Sequence, residues 1–405
     1  MSARAAGVRS TSVPRMVHGP RFQLGLVALV QILVLALWFS ASAVAPALRA
    51  DFTLSGTQSV WLTATVQVGF AIGAVGSALA NLADRIRPNV LIALSAVLGA
   101  AATAALALAA HDAWTVLALR LLTGVCLAGV YPPGMKIVVS WLPNARGLAL
   151  GLVVGALSVG SAAPQLINGL TTLPWRGVLL AAAVLAVVGA AVSLAFMRSG
   201  PAMRPTRVPD PRYVLRMFAD RKQRLVNLGY FGHMWELYAL WSWLPVYLAA
   251  SGAVQGRAGV GVAAFVIAGG CGLVGCLVAG YWADRHGRAY VAMLAMLFSA
   301  VSGLLSVAVF DVPWLFLIVL AVWGATVIAD SAQFSAALTE VADQEYVGTA
   351  LTAQTAIGFL VSVVTIQALP VLADLVGWRL AVPLLSIGPL LGAAAMARLR
   401  TLVRA

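Results

Sequence analysis

Residues 280–288, Gly280-Tyr-Trp-Ala-Asp-Arg-His-Gly-Arg288, lie at the junction of two apolar runs, 258–281 and 289–310. Each run is long enough to cross the hydrocarbon core of a bilayer, which takes about 20 residues of α-helix. The junction is rich in charged and titratable side chains, so it belongs at a membrane surface. This pattern predicts two antiparallel membrane-spanning helices joined by a short charged turn.

The composition extends this prediction to the whole chain. Of the 405 residues, 61% are apolar and only 10% are charged, whereas soluble domains have about 45–50% and about 25%. The mean hydropathy is +0.95. So few charges exclude a soluble globular protein, and the composition also excludes a disordered chain, a collagen and a disulfide scaffold. We therefore predict an all-α membrane protein that crosses the bilayer many times.

Apolar runs of about 20 residues recur along the sequence and predict twelve transmembrane helices. The first run is longer than the roughly 7–15 apolar residues of a signal peptide, so we interpret it as a helix that stays in the membrane. Most gaps are short, which indicates antiparallel neighbours. The predicted spans are 22–46, 58–79, 90–110, 114–139, 147–171, 175–197, 225–249, 258–281, 289–310, 313–336, 347–371 and 378–397.

The basic residues fit these spans when both termini are placed in the cytoplasm. Of the 26 lysines and arginines, 21 then lie on the cytoplasmic side and four on the outer side, while Arg120 lies within a span. The positive-inside rule requires such a bias. The net charge of +13 therefore indicates topology and not nucleic-acid binding. Abundant arginine and alanine favour a GC-rich bacterial genome and hence an inner membrane.

One long polar gap divides the chain into two halves of six helices. The predicted parts are a cytoplasmic N-terminal arm (1–21), an N-terminal bundle (22–197), a basic cytoplasmic linker (198–224), a C-terminal bundle (225–397) and a cytoplasmic tail (398–405). Three landmarks repeat between the halves at offsets of 200 to 203 residues, which is typical of transporters built from internal repeats. They are Asp84-Arg85 and Asp284-Arg285, Trp175-Arg176 and Trp378-Arg379, and Gly147 and Gly348.

The pattern Gly-x-x-x-Asp-Arg-x-Gly-Arg at 280–288 resembles the signature loop of the major facilitator superfamily, and 80–88 is a degraded copy of it. Arg120-x-x-x-Gly124 in the fourth helix resembles that family's second motif. The resemblance covers about 22–397. It implies a major facilitator fold, with twelve transmembrane helices in two pseudo-symmetric six-helix bundles. It also implies a secondary active transporter that moves a small solute by alternating access.

The resemblance assigns a gating role to the signature loop. In the family this loop lies at the cytoplasmic ends of helices, where a carboxylate can face helix N-termini and arginines. Such a charge network would hold the two halves together while the cavity faces outward. The implied gating residues are Asp84, Arg85, Gly280, Asp284, Arg285, Gly287 and Arg288.

Ionisable groups inside spans are costly and usually functional. The resemblance implies that helices one, four, seven and ten line a central cavity, and the deep ionisable residues all fall on the last three of these. The first helix adds a glutamine and a tryptophan that share a face at i, i+7. The candidates for the substrate and proton cavity on these grounds are Gln31, Trp38, Arg120, His233, Glu236 and Asp330.

The seventh helix is the most informative segment. At about 100° per residue, one wedge of about 80° contains His233, Glu236, Leu240, Trp243 and Tyr247, and we predict that it forms a cavity wall. Two alternatives stay open: an aromatic belt for the two outer rings, and a structural hydrogen-bonded pair for the histidine and glutamate. A buried titratable group that is exposed to each side in turn can carry a proton. We therefore predict proton-coupled symport, with Glu236 as the carrier and Asp330 sharing or relaying the proton.

The segment 131–147 resembles nitrate/nitrite porters and organic-anion symporters, with Tyr131-Pro-Pro-Gly-Met-Lys136 as its first part. This favours an organic or inorganic anion, places Tyr131 in the cavity and makes Arg120 a candidate for binding the anion. The second and eighth helices lack the arginines of nitrate porters. Gly160-Ser-Ala-Ala-Pro164 matches only part of the drug-exporter signature, so a proton-driven efflux antiporter is the alternative.

Other classes fit the sequence less well. An enzyme would need a nucleophile and base or a metal cluster, and of the four histidines only His233 lies deep in a span. We therefore expect no enzymatic activity, no cofactor and no metal. The expected partners are a small solute, protons and the lipid bilayer, with the chain acting as a monomer. A transporter-like sensor stays open, and substrate flux in proteoliposomes would separate it from a carrier.

Overall fold

The computed structural model describes residues 19–142, 146–203 and 210–404, without the side chains of residues 83, 84 and 404. The described residues form helices and turns and contain no strand. The twelve helical units are α1 (Pro20–Leu35, then Ser40–Ala43 and Ala45–Asp51), α2 (Gly56–Leu79), α3 (Pro88–Ala109), α4 (Ala113–Leu127, then Tyr131–Trp141), α5 (Arg146–Leu170), α6 (Trp175–Phe196), α7 (Arg221–Ser251), α8 (Gly256–His286), α9 (Arg288–Ala308), α10 (Pro313–Ala329, then Ser331–Val341), α11 (Val347–Val376) and α12 (Trp378–Ala381, Val382–Ser386 and Ile387–Arg404).

Ten of the described helices, all but α1 and α7, are long and apolar enough to cross a membrane. The first segment of α1 is only 16 residues long, and α7 is longer but carries several polar side chains. Two short helices, Leu82–Arg85 and Tyr213–Ala219, lie between α2 and α3 and before α7. The twelve-helix, all-α architecture predicted from the apolar runs is confirmed.

Local capping explains where several helices begin. Ser55 and Gln58 form a capping box at α2, in which each side chain bonds the backbone N–H of the other residue. At α4 the Asp112 carboxylate accepts from the amides of Trp114 and Thr115. The Thr115 amide and hydroxyl hold the pKa of Asp112 below its usual range. Proline opens α3 and α10, where its missing N–H costs nothing.

The structure corrects several predicted helix ends. Helix α7 begins at Arg221, so its first turn includes basic residues that we had assigned to the linker. The linker is not a simple coil, since it contains Tyr213–Ala219. Helix α12 runs to Arg404 and takes in residues 398–404 of the predicted tail. The Asp220 side chain accepts from the Gln223 amide, which explains the early start of α7.

Three predicted spans are interrupted. Helix α1 breaks at 36–39 and α4 at 128–130, while α10 breaks at Asp330. In α4 the sequence Tyr131-Pro132-Pro133 explains the break, because a proline has no N–H for the carbonyl four residues earlier. The breaks of α4 and α10 are about 200 residues apart, so the repeat detected in the sequence extends to backbone shape.

The helices form two bundles, α1–α6 and α7–α12, which meet chiefly through α2 with α11 and α5 with α8. Small residues allow the close approach of α5 and α8. A Cβ added at Gly280 would lie 2.5 Å from the Gly147 carbonyl oxygen, and one at Gly151 would lie 2.5 Å from the Cys276 oxygen. A short π-helical segment, Phe265–Cys271, lies in the middle of α8. We call the end of the molecule that carries residues 198–203 and 210–220 the linker end.

The orientation can be tested by cysteine labelling. We expect Ala202→Cys, at an exposed turn of the linker end, to react with a membrane-impermeant thiol reagent only in inverted vesicles. The background would carry serine at Cys126, Cys271 and Cys276. His111→Cys, an exposed position at the opposite end, is the matched control and should react only in intact cells. Labelling of position 202 from outside would reverse the predicted topology.

Candidate functional site

The break in α1 leaves the Leu37 and Trp38 oxygens without a backbone N–H partner among the described residues. The Ser40 hydroxyl donates to the Leu37 oxygen at 2.9 Å, and Arg120 lies beside both carbonyls. This side chain of α4 is fully buried. Its Nη1 donates to the Leu37 oxygen at 3.1 Å, its Nη2 donates to the Trp38 oxygen, and its Nε donates to the Leu62 oxygen on α2 at 3.3 Å. Nη1 also lies 3.4 Å from Ser40 Oγ. These acceptors are neutral, so within the described residues no carboxylate compensates this charge.

The breaks of α4 and α10 each meet a polar side chain from the first helix of their own bundle. In the N-terminal bundle, Gln31 Nε2 donates to the Val130 oxygen at 3.1 Å. In the C-terminal bundle, His233 Nδ1 lies 2.8 Å from Asp330 Oδ1. The two pairs occupy equivalent places in the repeat, and all four residues are buried. Only the C-terminal pair can ionise.

Glu236 lies inside the C-terminal bundle. Its Oε2 accepts from Ser299 Oγ on α9 at 2.7 Å, and its Oε1 accepts from Trp323 Nε1 on α10 at 2.8 Å. The other polar members of the predicted wedge bond within the same bundle, since Trp243 Nε1 donates to the Ile366 oxygen and the Tyr247 hydroxyl contacts Ser306. The wedge therefore faces the interior of the C-terminal bundle, whereas the sequence interpretation had it facing the space between bundles.

A cluster of aromatic rings occupies the space between the bundles instead. Trp38 of α1 stacks on Tyr238 of α7 and on Phe359 of α11, with ring centroids 5.5 Å apart in both cases. Phe70 of α2 packs against Trp38 at 5.0 Å and against Phe359 at 4.4 Å. We call these four residues the central ring cluster. All four are buried, and each bundle contributes two of them.

The central ring cluster includes three residues that the sequence interpretation missed: Phe70, Tyr238 and Phe359. A signal for the α7 member was present, because Tyr230, Met234, Tyr238 and Trp241 also fall within a wedge of about 80°. This second stripe lies on the opposite side of α7 from the predicted wedge. Trp241, which lies off the predicted wedge, packs against Phe39 of the other bundle with ring centroids 6.1 Å apart.

Buried polar atoms without a hydrogen-bond partner among the described residues lie beside these rings. They include Trp38 Nε1, Trp241 Nε1 and both polar atoms of the Gln67 amide. Gln67 precedes Phe70 by one turn of α2 and shares its face. A buried N–H without a partner costs about 1–3 kcal/mol. Several together mark a polar place between the bundles where water or a bound molecule can supply the missing hydrogen-bond partners.

At the linker end the signature loop joins the two bundles. Asp284 Oδ1 accepts from the Gly147 amide at 3.0 Å and Oδ2 accepts from the Leu148 amide at 3.1 Å, so this carboxylate of α8 caps the first turn of α5. Arg288 Nη2 bonds the same carboxylate at 2.8 Å. The arginine also reaches Glu340 at the end of α10, at 3.4 Å. Gly280 packs against the Gly147 backbone.

The other predicted gating residues have different places. Gly287 has φ +90, which requires glycine at the turn between α8 and α9. The Arg285 guanidinium lies over the Tyr281 ring, 3.9 Å from its centroid. Asp84 and Arg85 belong to the helix Leu82–Arg85, and the side chain of Asp84 lies outside the described ones. Tyr131 is half-buried and begins the second segment of α4.

The described residues contain no group of three or more histidine, cysteine, aspartate or glutamate side chains placed to hold a metal ion.

Near the rings, α5 and α8 enclose with α1 and α7 a small cavity whose lining includes Phe39, Ser161 and Trp241. Contacts along α5 and α8 extend to the end opposite the linker, where Arg257 donates to the Thr171 oxygen. The contact between α5 and α8 thus extends from the linker end to the opposite end of the molecule.

Two six-helix bundles with broken helices and buried charged residues at their centre are the architecture of membrane transporters built from internal repeats. The family model of the Major Facilitator Superfamily matches residues 27–277, and the chain belongs to this family of transporters.

Individual relatives were also found. The niacin transporter NiaP of Acinetobacter baylyi is 32% identical over 111 residues, which cover 27% of this chain and only 25% of NiaP. The solved structure of the proton:xylose symporter XylE bound to 6-bromo-6-deoxy-D-glucose aligns with a TM-score of 0.75 at 13% identity, covering 93% of this chain and 95% of XylE. An inward-facing, unoccupied bacterial homologue of the human lysosomal transporter Spinster aligns with a TM-score of 0.70 at 15% identity, covering 97% of this chain and 99% of its own. At these identities the two structures show the fold alone.

Arg120→Lys should lower thermal stability. A lysine cannot reproduce the planar set of donors that reaches three carbonyls at once, and each lost hydrogen bond from a charged group is worth about 1.5–3 kcal/mol. We expect the apparent melting temperature in detergent to fall by several degrees, as followed by intrinsic fluorescence. Arg49→Lys, at an exposed position, is the control. Equal melting of Arg120→Lys and wild type would show that these contacts do not hold the broken turn.

Gly147→Ala should prevent closure at the linker end. A Cβ there would lie 2.3 Å from Arg288 Nη1, 2.6 Å from the Gly280 oxygen and 2.7 Å from Asp284 Oδ1, so α5 and α8 must separate. We expect spin labels at Leu79 and Gln344 to move apart in pulsed electron paramagnetic resonance. Gly76→Ala is the control, because a Cβ at that position has no heavy atom within 4 Å. Unchanged distances in Gly147→Ala would contradict the expected separation.

Proposed function

We propose that this protein is a proton-coupled symporter that imports a small organic or inorganic anion by alternating access, as a monomer in a bacterial inner membrane. The observation that carries the proposal is that the two bundles bury different kinds of ionisable side chain. The N-terminal bundle holds a buried cation, Arg120, while the C-terminal bundle holds the titratable groups His233, Glu236 and Asp330. One bundle thus suits attraction of an anion and the other suits binding of a proton.

The case for an anion rests on the uncompensated charge of Arg120. Its described hydrogen-bond acceptors are carbonyl and hydroxyl oxygens, which solvate the guanidinium but leave its net charge in place. A buried charge without a counter-ion is strongly unfavourable. An anion entering the space between the bundles would reduce that cost, because Arg120 lies directly against the backbone of Trp38 in the central ring cluster. The positive charge of Arg120 would attract the anion even if the two groups do not touch.

The case for a proton rests on the C-terminal bundle. The Glu236 carboxylate has two neutral donors, and Asp330 lies at ion-pair distance from His233. His233 and Glu236 are three residues apart on α7, hence neighbours on one face. A proton added to or removed from this set changes the charge of a buried cluster, and intramembrane ionisable groups of this kind serve as proton relays in transporters. The equivalent place in the N-terminal bundle holds Gln31, which cannot titrate.

Alternating access needs a contact that forms in one state and breaks in the other. The Asp284 carboxylate supplies one, because it binds the first turn of α5 across the bundle interface and Arg288 holds it in place. This is the gating role that we propose for the signature loop, with Asp84 and Arg85 as its counterparts in the N-terminal half. The names of NiaP, a niacin transporter, and XylE, a proton:xylose symporter, fit solute and proton transport by this fold.

Glu236→Gln should separate coupling from transport. The glutamine keeps the size of the side chain, and its amide oxygen can accept from Trp323 while its NH2 group donates to the Ser299 hydroxyl. Because it cannot titrate, we expect loss of uphill accumulation driven by a pH gradient while counterflow continues. Asp330→Asn should behave similarly, because it removes the titratable carboxylate beside His233. Both activities would be measured in the same proteoliposomes, with radiolabelled nitrate, lactate, benzoate and nicotinate as probes.

Asp374→Asn, at an exposed position near the end of α11, is the matched control and should accumulate solute like the wild type. Accumulation by Glu236→Gln with wild-type pH dependence would overturn the assignment of the coupling residue. If the wild type accumulates solute only when the pH gradient is reversed, the protein is an antiporter and the symport proposal is wrong.

A further inference from the structure

The central ring cluster is divided between the two bundles in a way that suits a flat molecule. Trp38 stacks on Tyr238 with an interplanar angle of 15° and on Phe359 with an angle of 28°. In both pairs one ring belongs to the N-terminal bundle and the other to the C-terminal bundle. Rocking of the bundles must therefore separate parallel ring faces, which opens a slot with an aromatic wall on each side.

The polar atoms beside this slot are short of acceptors. Gln67 Nε2 and Trp241 Nε1 are buried donors without a hydrogen-bond partner among the described residues. Gln67 lies one turn before Phe70 on α2, and Trp241 lies one turn beyond Tyr238 on α7, so both are on the side of the cluster away from the linker end. Arg120 donates to the Trp38 oxygen and places its positive charge near the same rings.

Two groups of ligands fit this arrangement poorly. An organic cation would stack on the rings, but it would lie near Arg120, and the carboxylates among the buried described residues, Glu236 and Asp330, are engaged within the C-terminal bundle. A branched or saturated solute would leave the parallel ring faces without close contact, whereas offset stacking of aromatic rings adds about 0.5–1.5 kcal/mol per pair beyond the burial of area.

We propose that the solute is a small planar aromatic carboxylic acid. Its ring enters between Trp38 on one side and Tyr238 and Phe359 on the other, and its carboxylate accepts from the unpaired N–H groups of Gln67 and Trp241. This assignment rests on the proposed transport of an anion and narrows it to one class of molecule. The ring stack favours a flat solute, the unpaired N–H donors favour a solute with acceptor oxygens, and Arg120 favours a solute with negative charge.

The first experiment compares ligands on the wild-type protein. The probes are benzoate and nicotinate, cyclohexanecarboxylate with the same charge but a puckered ring, and benzamide with the same ring but no charge. Binding is measured by the rise of the apparent melting temperature with ligand concentration and by tryptophan fluorescence. We expect both aromatic acids to bind at least about tenfold more tightly than the other two, which is about 1.4 kcal/mol. Equal affinity for cyclohexanecarboxylate and benzoate would overturn the proposal.

The second experiment uses variants of the slot. Trp38→Phe keeps a flat ring and should bind benzoate within about threefold of the wild type, whereas Trp38→Leu should lose about tenfold or more. Gln67→Leu should lose affinity for benzoate while its weak affinity for benzamide changes little. Trp114→Leu is the control, because Trp114 is 75% exposed. If Trp38→Leu does not fold, the comparison of benzoate with cyclohexanecarboxylate on the wild type still tests whether the solute must be aromatic.

The outcomes also separate this inference from the proposed function. Proton-driven accumulation of lactate or nitrate, without binding of either aromatic acid, would contradict the aromatic substrate and leave proton-coupled anion transport intact. Selective binding of benzoate or nicotinate without flux in proteoliposomes would support the slot and contradict the transport proposal. Binding together with pH-driven accumulation supports both.

Discussion

Arg120 and the broken turn of α1 form the contact on which the centre of the molecule depends. Inside a bilayer an unpaired backbone carbonyl costs several kcal/mol, so a helix can break there only if another group satisfies the freed carbonyls. The guanidinium does this for Trp38, shares the Leu37 oxygen with the Ser40 hydroxyl, and ties α1 to α2 through Leu62. The break thus places the Trp38 ring against the other bundle, where the central ring cluster forms. One buried charge thereby sets both the backbone geometry and the electrostatic character of the central space.

The two bundles repeat in shape but differ in chemistry. The breaks of α4 and α10 are equivalent, and each meets a polar side chain from the first helix of its bundle. In one bundle this contact is Gln31 with the Val130 carbonyl, which is neutral at any pH, and in the other it is His233 with Asp330. Duplication explains the shared geometry, because both contacts satisfy the same structural need. The neutral contact shows that a broken helix does not require ionisable side chains. The ionisable pair His233 and Asp330 is therefore a physical reason to look for function in the C-terminal bundle.

The sequence predicted the architecture well because the bilayer imposes simple rules. The length of the apolar runs, the distribution of basic residues between the loops and the repeat at an offset of about 200 residues together predicted twelve helices in two bundles. The breaks were harder to predict: Pro132-Pro133 gave a signal in α4, but neither 36–39 nor Asp330 is marked by proline. For the site, periodicity placed His233, Glu236 and Trp243 on one face of α7. It did not show which other helices pack against that face. Both faces of α7 are packed against protein, so periodicity alone could not distinguish the face toward α9 and α10 from the face toward α1.

Under the proposed proton coupling, α7 is the element that would link the solute to the proton. Unlike α1, α4 and α10, it is continuous over 31 residues, and a continuous helix moves more nearly as a rigid body than a broken one. One face carries Tyr238, which stacks on Trp38 of the other bundle, and the opposite face carries Glu236, bonded to α9 and α10. Coupling requires that a proton bind with different affinity in the two states of the carrier. Rocking of the bundles alone would carry α7, α9 and α10 together. If α7 also shifts relative to α9 and α10 as Tyr238 separates from Trp38, the surroundings of His233 and Glu236 change, and opening the ring slot and changing proton affinity would be parts of one movement.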